Sequence, residues 1–467
     1  MKSLIVDIHN KYISKDIEPK NLIYQYEKNT DTTNTFITRI DLKEQLNSLN
    51  SLKNNSLLYG IPYGMKDNIS TKDIKTTGGS KFFEEYYPPF DATIYTLLNN
   101  AGAIMLGKTN LDEFGMAGTG VWSAYGDVLN PHDHDRIVGG SSSGSVNLVA
   151  CGQAPFAIGT DTGDSVRRPA SFVGVVGFKP TYGLISRYGV FPYAPSLDSI
   201  GINATNVTDT AIVADVICQY DQKDYSSQKM EHTFYKSLTT HKNICVGVIK
   251  DLEKHLSKDV LTYYLKAIDD IKKAGHTIKY IDLDETYLRS VHTIYYCLSY
   301  VEAYSCYMNI TGITFGKNLG GNNYDEIITK NRTNGIGMEA RARMIIGAYI
   351  TKHNNFEKYF LRAQKIRRWL VNEWLDKTKD VDVVLTVGAS SVAPKIEDVK
   401  SNKFSSTYAD DLLCVANMGG FPSITIPYVN INGLPFGLNL TCIPFDDQKL
   451  LDVALTFEGL FERSKCE

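Results

Sequence analysis

The chain has 467 residues and a formal net charge of −3, with 43% hydrophobic and 22% charged residues. These values are typical of a soluble globular protein with a large core, and they do not indicate a surface that binds polyanions, so any nucleic acid would bind mainly to another polypeptide of a complex. No run approaches the roughly 18 apolar residues of a membrane helix, and the N-terminus lacks a signal-peptide pattern. Since none of the eight cysteines forms a CxxC pair, we expect a cytoplasmic protein with reduced thiols and no membrane partner.

Residues 1–58 are predicted to form an N-terminal segment of amphipathic helices with polar connections. The Gly-rich stretch 59–225 then alternates short apolar segments with loops. Within it, DATIYTLLNNAG predicts a helix that ends at Gly102, and AIMLG predicts a buried strand. This alternation is typical of an α/β sheet whose loops carry the functional residues.

The second half of the chain continues the alternation around a helical segment. ICVGVIK, TIKYIDL and VDVVLTV predict strands, and DVLTYYLKAIDDIKKAGH predicts an amphipathic helix. Residues 285–378 are largely helical by pattern. Because the sequence has no low-complexity linker and no internal repeat, a single domain spanning 1–467 with this segment inserted is the simplest organisation.

A Gly/Ser-rich loop, GGSSSGS, extends from Gly139 to Ser145. It is not a phosphate-binding P-loop, because the Lys-Ser/Thr pair that follows the glycines is missing. Gly140, Ser142 and Gly144 match the G-x-S-x-G nucleophile elbow of the α/β-hydrolases. That elbow requires a preceding strand, which HDHDRIV does not predict, so we disfavour this alternative.

Two further loops carry candidate chemistry. In GTDTGDSVRRP, small residues before Ser165 allow backbone N–H groups to converge near its hydroxyl, as an oxyanion hole requires, although the segment alone could be an ordinary turn. In GIPYGMKDN, Lys66 is flanked by Gly, Pro and apolar residues. Lysines usually lie on the surface, but a buried lysine loses its proton readily and can act as a base.

Together these loops resemble the amidase signature family, specifically from about Tyr59 to Ile202 and more loosely from Ile244 onward. Ser141 precedes Ser165 by 24 residues, which is the spacing of that family. The resemblance implies an α/β fold with a central mixed β-sheet covered by helices on both faces.

The resemblance also implies a catalytic role for each residue of the triad. Ser165 would be the nucleophile, and Ser141, after a cis peptide bond, would relay a proton between Ser165 and neutral Lys66. The N–H groups of the loop would line the oxyanion hole; they belong to Thr162, Gly163, Asp164 and Ser165.

Two positions depart from the family pattern: Ser143 and Asp164 stand where the family usually has glycine. A carboxylate that pointed at the oxyanion would oppose catalysis. We expect the Asp164 side chain to turn away toward Arg167 or Arg168, and the alternative is a weak or altered amidase.

Within the family, the chain is most similar to the A subunits of tRNA-dependent amidotransferases, on the stretches KTNLDEFGMAGTGVWSAYG, FKPTYGLISRYGVFPYAPSLDSIG and NRTNGIGMEARARMIIGAYI. That similarity implies glutamine hydrolysis, with Arg343 pairing with the glutamine carboxylate, Asp411 with its amino group, and Tyr296 nearby.

The same similarity implies partner subunits B and C. Ammonia would pass to the B partner, which would activate Glu-tRNA or Asp-tRNA with ATP and Mg²⁺ and would hold most of the tRNA. The chain itself would need no cofactor or metal: His132 and His134 lack a nearby third ligand. Two alternatives stay open, a stand-alone amidase for another small amide and a scaffold subunit with a decayed site.

Overall fold

The computed structural model describes residues 2–28, 31–49 and 56–463. Eleven strands form one mixed sheet in this part of the chain, and two short strands form a separate ladder. In chain order the strands are β1 (Phe36–Arg39), β2 (Pro62–Lys66), β3 (Ile104–Thr109), β4 (Leu129–Asn130), β5 (Asp133–Ile137), β6 (Phe156–Asp161), β7 (Val176–Lys179), β8 (Ser199–Ala204), β9 (Cys245–Ile249), β10 (Thr277–Ile281), β11 (Val383–Val387), β12 (Ser423–Ile431) and β13 (Leu434–Thr441).

The helices follow the strands closely along the chain. They are α1 (Leu4–Ile13), α2 (Pro19–Glu27), α3 (Lys43–Leu49), α4 (Thr93–Asn100), α5 (Ser143–Ala150), α6 (Arg167–Val173), α7 (Val207–Ile217), α8 (Phe234–Ser237), α9 (Lys258–Lys273), α10 (Glu285–Tyr307), α11 (Tyr324–Gly335), α12 (Met338–Thr351), α13 (His353–Asn355), α14 (Arg362–Thr378), α15 (Ile396–Lys400), α16 (Tyr408–Asp411), α17 (Leu413–Gly419) and α18 (Asp447–Arg463). In the part of the chain that the structure describes, no helix is long and apolar enough to cross a bilayer.

The large sheet has the strand order β1-β3-β2-β6-β8-β7-β12-β13-β11-β9-β10. β3, β2 and β6 run parallel to one another, as do β11, β9 and β10, while the strands between them pair antiparallel. The sheet therefore has two parallel blocks joined by an antiparallel centre, and β1 is added antiparallel to β3 at one edge.

Helices cover both faces of this sheet. Successive residues of a strand point to opposite faces, and neighbouring residues of β6 pack against different sets of helices. Phe156 and Ile158 of β6 belong to an apolar cluster that includes buried residues of α4, α7 and α18. Ala157, between them, belongs to a second cluster with buried residues of α3, α5 and α6. The predicted mixed sheet with helices on both faces is thereby confirmed.

The described part of the N-terminal segment 1–58 contains a strand in addition to its predicted helices. Residues 36–39 form β1, which pairs antiparallel with β3 at the edge of the sheet. The sequence FITR has β-branched and aromatic side chains that favour a strand. The carboxylate of Asp31 accepts the N–H groups of Thr35 and Phe36, which orders the turn that precedes this strand.

The strand order brings the candidate loops together. Lys66 ends β2, and β6 is its parallel neighbour, so the chain leaves both strands at the same edge of the sheet. The loop 162–166 follows β6 and leads into α6, whereas Ser141 lies just before α5, which packs on the same two strands. Ligand sites of α/β sheets are commonly found at such an edge.

Candidate active site

Lys66 is fully buried at the end of β2. Its Nζ lies 2.8 Å from Ser141 Oγ, 3.0 Å from Ser142 Oγ and 2.8 Å from Thr160 Oγ1. Burial lowers the pKa of Lys66 to about 7, although nearby carboxylates oppose that change. An amine that is partly neutral near physiological pH can accept a proton from a bound hydroxyl.

Ser141 follows a cis peptide bond from Gly140, as the family resemblance implies. Gly140 packs so tightly that a Cβ atom there would lie 2.1 Å from Asp112 Oδ2. The buried Asp112 carboxylate accepts the backbone N–H groups of Thr119, Gly120 and Trp122. Asp112 and the segment that it orders therefore pack directly against Gly140, the residue before Ser141.

Ser165 lies in the loop 162–166, which is anchored by a buried ion pair. Asp161 ends β6 and lies 2.9 Å from the Nη2 of Arg167, and both side chains are fully buried. The backbone N–H of Ser142 donates to the carbonyl of Ser165 at 3.2 Å. The loop of Ser165 is thus tied both to the sheet and to the Gly/Ser-rich loop.

Consecutive backbone N–H groups beside Ser165 are free. Those of Gly163, Asp164 and Ser165 donate to no group within residues 2–28, 31–49 and 56–463. Thr162 is fixed next to them, because its hydroxyl donates to Asp198 Oδ1 at 2.6 Å. Free donors next to a serine are what an oxyanion hole requires.

The carboxylate of Asp164 forms an ion pair with Arg168, one turn further along α6. The expected contact with Arg168 is confirmed, whereas Arg167 pairs with Asp161 instead. Burial outweighs the attraction of the guanidinium and raises the pKa of Asp164 to about 6. Asp164 is therefore mostly ionised, and paired, above neutral pH.

Ser142, the central residue of the G-x-S-x-G match, is fully buried. Its hydroxyl donates to the carbonyl of Thr160 at 2.9 Å. The expectation that no strand precedes it is wrong: β5 ends at Ile137 and pairs with β4. This strand is polar because it lies outside the large sheet, which hid it from the hydrophobic pattern. The hydroxyl of Ser142 packs beside Lys66, so the nucleophile-elbow alternative is still disfavoured.

Arg343 lies on α12, with 9% of its surface exposed. Its Nη1 donates to the hydroxyl of Tyr193 at 3.1 Å, and its Nη2 lies 2.7 Å from Glu339 Oε1. The guanidinium is 5.8 Å from the ring centre of Tyr296. The structure therefore places Arg343 and Tyr296 together, with Glu339 occupying part of the guanidinium.

Asp411 ends α16, and its Oδ1 lies 2.8 Å from the Nδ1 of His292. The His292 ring packs edge-on against Tyr296 with a centroid distance of 4.3 Å. Through this ring, Asp411 belongs to the same polar group as Arg343. A carboxylate and a guanidinium that are linked through His292 and Tyr296 offer the two opposite charges that a zwitterionic amino acid pairs with.

Comparison with known proteins decides the family. A family model described as Amidase matches residues 21–451. The chain belongs to the amidase family. The A subunit of the glutamyl-tRNA(Gln) amidotransferase of Mycoplasma genitalium is 46% identical over 461 residues, which cover 93% of this chain and 97% of that protein. Its counterpart from Mycoplasma pneumoniae is 42% identical and covers 99% of both chains. The crystal structure of the A subunit from Thermotoga maritima is 31% identical, with a TM-score of 0.78 over 94% of this chain and 90% of that one.

A cavity of about 540 Å³ adjoins the catalytic cluster of this amidase. Thr160 and Thr162 line it on the side of Lys66 and of the free N–H groups. Tyr193 also lines it, and the hydroxyl of Tyr193 accepts a hydrogen bond from Arg343, which is not itself a lining residue. Within the described residues, the cavity therefore reaches a contact of Lys66 and a contact of Arg343, but neither charged group lines it.

Sequence reasoning missed several residues that build this amidase site. Thr160 and Asp112 lie inside the matched motifs. Nothing in their spacing shows that Thr160 contacts Lys66 or that Asp112 packs against Gly140.

The two histidines that were considered as metal ligands are His132 and His134. The ring of His132 contacts the carbonyl of Val173 at 3.1 Å. Across the described residues, no group of three or more His, Cys, Asp or Glu side chains could hold a metal ion.

Proposed function

We propose that this chain is the glutamine-hydrolysing A subunit of a glutamyl-tRNA(Gln) amidotransferase. The observation that carries the proposal is the fully buried Lys66, 2.8 Å from Ser141 Oγ, with its pKa lowered to about 7 by burial. The near-complete coverage of A subunits at up to 46% identity supports the choice of reaction.

The chemistry begins with proton transfer. Neutral Lys66 accepts the proton of the Ser141 hydroxyl, which takes the proton of Ser165 as the Ser165 Oγ attacks the side-chain carboxamide of glutamine. Negative charge develops on the carboxamide oxygen and is stabilised by the free N–H groups of Gly163, Asp164 and Ser165. Thr162 is the first residue of the same loop.

Collapse of the tetrahedral intermediate breaks the C–N bond and leaves an ester on Ser165. Ser141 donates one proton to the leaving nitrogen, which departs as ammonia, and Lys66 returns its extra proton to Ser141. A water molecule, activated by the same relay, then cleaves the ester and releases glutamate. The resting enzyme is restored with no net change in its protons.

Glutamine is held by its α-substituents in this proposal. Its carboxylate pairs with Arg343 in exchange for Glu339, and its ammonium pairs with Asp411, where His292 is the resting partner. Tyr296 contacts Arg343 and His292, the resting partner of Asp411. This exchange of partners favours a zwitterionic substrate over an uncharged amide.

Ammonia then serves a partner. We propose that subunits B and C complete the enzyme, that the B partner uses ATP and Mg²⁺ to activate Glu-tRNA(Gln) or Asp-tRNA(Asn), and that it holds most of the tRNA. The net charge of −3 on this chain agrees with a tRNA site elsewhere. The complex would work in the cytoplasm, where aminoacyl-tRNA is used.

The test is glutamine-dependent ammonia release and amidation of Glu-tRNA(Gln) by the chain co-expressed with its B and C partners. We expect both activities in the complex and loss of both in Ser165→Ala. Hydrolysis of aryl or aliphatic amides without hydrolysis of glutamine would contradict the proposal and favour a stand-alone amidase. Intact amidation by the Ser165→Ala complex with glutamine would favour a scaffold role.

A further inference from the structure

The loop of Ser165 carries a carboxylate where the amidase family usually has glycine. Asp164 is the residue next to Ser165, and its own N–H is one of the free donors. An ionised carboxylate at this place repels the negative charge that forms on the substrate oxygen. Catalysis by Ser165 therefore requires another group that offsets the negative charge of Asp164.

That group is Arg168. Its Nη2 contacts the Asp164 carboxylate, and the side chains are 16% and 8% exposed, respectively. Asp164 is the only ion-pair partner that Arg168 has within the described ranges. The Arg168 Nη2 also lies 3.2 Å from the position that a Cβ on Gly118 would take, so the guanidinium is packed closely on that side.

The other groups around Asp164 do not replace this cation. Asp161 and Asp410 add negative charge, and the positive charge of Arg167 is already paired with Asp161. Among the described residues, the main titratable or charged groups that interact electrostatically with Asp164 are Asp161, Arg167, Arg168, Tyr295, Asp410 and Cys414.

We propose that Arg168 is a positioning residue that keeps the Asp164 carboxylate paired and away from the free N–H groups beside Ser165. The pair makes a carboxylate acceptable at a glycine position, so Arg168 is needed only because Asp164 is present. This inference rests on the proposed role of Ser165, but it does not depend on glutamine being the substrate.

Removal of Arg168 has a defined consequence for the pH profile. Without the guanidinium, burial and the neighbouring carboxylates raise the pKa of Asp164 further. Asp164 then ionises at a higher pH than in the wild type and, once ionised, is an unpaired anion. Reactivity of Ser165 should therefore fall as the pH rises, which is opposite to the effect of deprotonating Lys66.

The experiment measures the rate at which a small fluorophosphonate labels Ser165 in the full chain between pH 6 and 10. In this reaction the Ser165 Oγ displaces fluoride from phosphorus, and the phosphoryl oxygen needs the same N–H donors as a carboxamide oxygen. We expect the wild-type rate to rise through about pH 7 and then stay level. The rate in Arg168→Met should reach a maximum and then fall at least about tenfold at alkaline pH.

Three comparisons keep the test specific. Arg168→Lys keeps the charge and should keep the level profile, and the double variant Asp164→Gly/Arg168→Met should lose the alkaline fall. Arg136→Met breaks an Arg–Asp pair on β5 and should match the wild type. A level profile in Arg168→Met, or an alkaline fall that persists in the double variant, would overturn the inference.

The outcome also separates this inference from the proposed function. Labelling that follows these profiles in a chain whose complex releases no ammonia from glutamine would support the pair and reject the glutaminase. Wild-type protein in which Ser165 does not react at any pH would reject both.

Discussion

Replacing Lys66 with methionine should abolish hydrolysis and change the pH dependence of stability. Methionine has similar length and carries no charge, so it removes the desolvation of a fully buried amine. The folded pKa of Lys66 is about 7, compared with the ordinary lysine value of 10.5. Between these two values the unfolded chain binds more protons than the folded one, so this lysine makes the wild type more stable as the pH rises.

The magnitude follows from linkage. One unit of pKa shift corresponds to about 1.4 kcal/mol, so between pH 6.5 and pH 9 the wild type should gain about 2.5 kcal/mol from Lys66 alone. The methionine variant lacks this gain. The variant should therefore have its greatest advantage in stability at low pH, and the advantage should shrink by about 2.5 kcal/mol across that range.

The assay is urea unfolding of both proteins at several pH values, with the difference in unfolding free energy plotted against pH. All other titrating groups are shared, so they largely cancel in the difference. A control variant at an exposed lysine, Lys266→Met, should give a difference with little pH dependence. If the Lys66→Met difference is also independent of pH, then Lys66 is charged throughout and cannot be the base.

Three further outcomes are expected. Ammonia release by the wild-type complex should increase about tenfold from pH 6 to pH 8, as the buried Lys66 loses its proton, and a stopped-flow or coupled assay across this range would reveal a flat profile if the relay were wrong. Glu113→Ala should raise KM for glutamine about tenfold with little change in kcat, because Glu113 Oε2 accepts the N–H of Gly337 at 2.7 Å, at the start of the helix that carries Arg343. Glu113→Gln should restore most of the affinity for glutamine. A fall in kcat as large as the rise in KM would contradict a positioning role for Glu113. Glu339→Gln should lower KM by roughly threefold in the same steady-state assay, since the resting partner of Arg343 is weakened, and a higher KM would show that Glu339 helps to hold the substrate.

The candidate catalytic residues were predictable because they lie in short segments whose spacing matches the amidase family. Lys66 and Ser141 were assigned from motifs and are 2.8 Å apart in the structure. The strands β3, β9 and β11 were predicted from apolar runs, because they are almost entirely buried. β10 was also predicted, although most of its residues are exposed at the edge of the sheet. The pattern of apolar residues was enough to predict a strand wherever the segment is strongly apolar.

Prediction failed where the decisive partner is distant or polar. β1 and β5 are short strands with few apolar residues, so hydrophobic periodicity gave no signal for them. The partner of Arg167 could not be chosen from the sequence, because Asp161 and Asp164 are both nearby. Only the fold shows that Arg167 forms its ion pair with Asp161 and that Arg168 forms its ion pair with Asp164.

The anchoring of Arg167 has a consequence for the order in which the protein folds. Besides Asp161, its guanidinium donates to the carbonyl of Leu413, to Asn417 and to Ser423, which lie 246 to 256 residues further along the chain. The loop of Ser165 can therefore reach its final packing only after α17 and β12 have docked beside it. Folding of the second half of the chain is thus a condition for completing a loop in the first half.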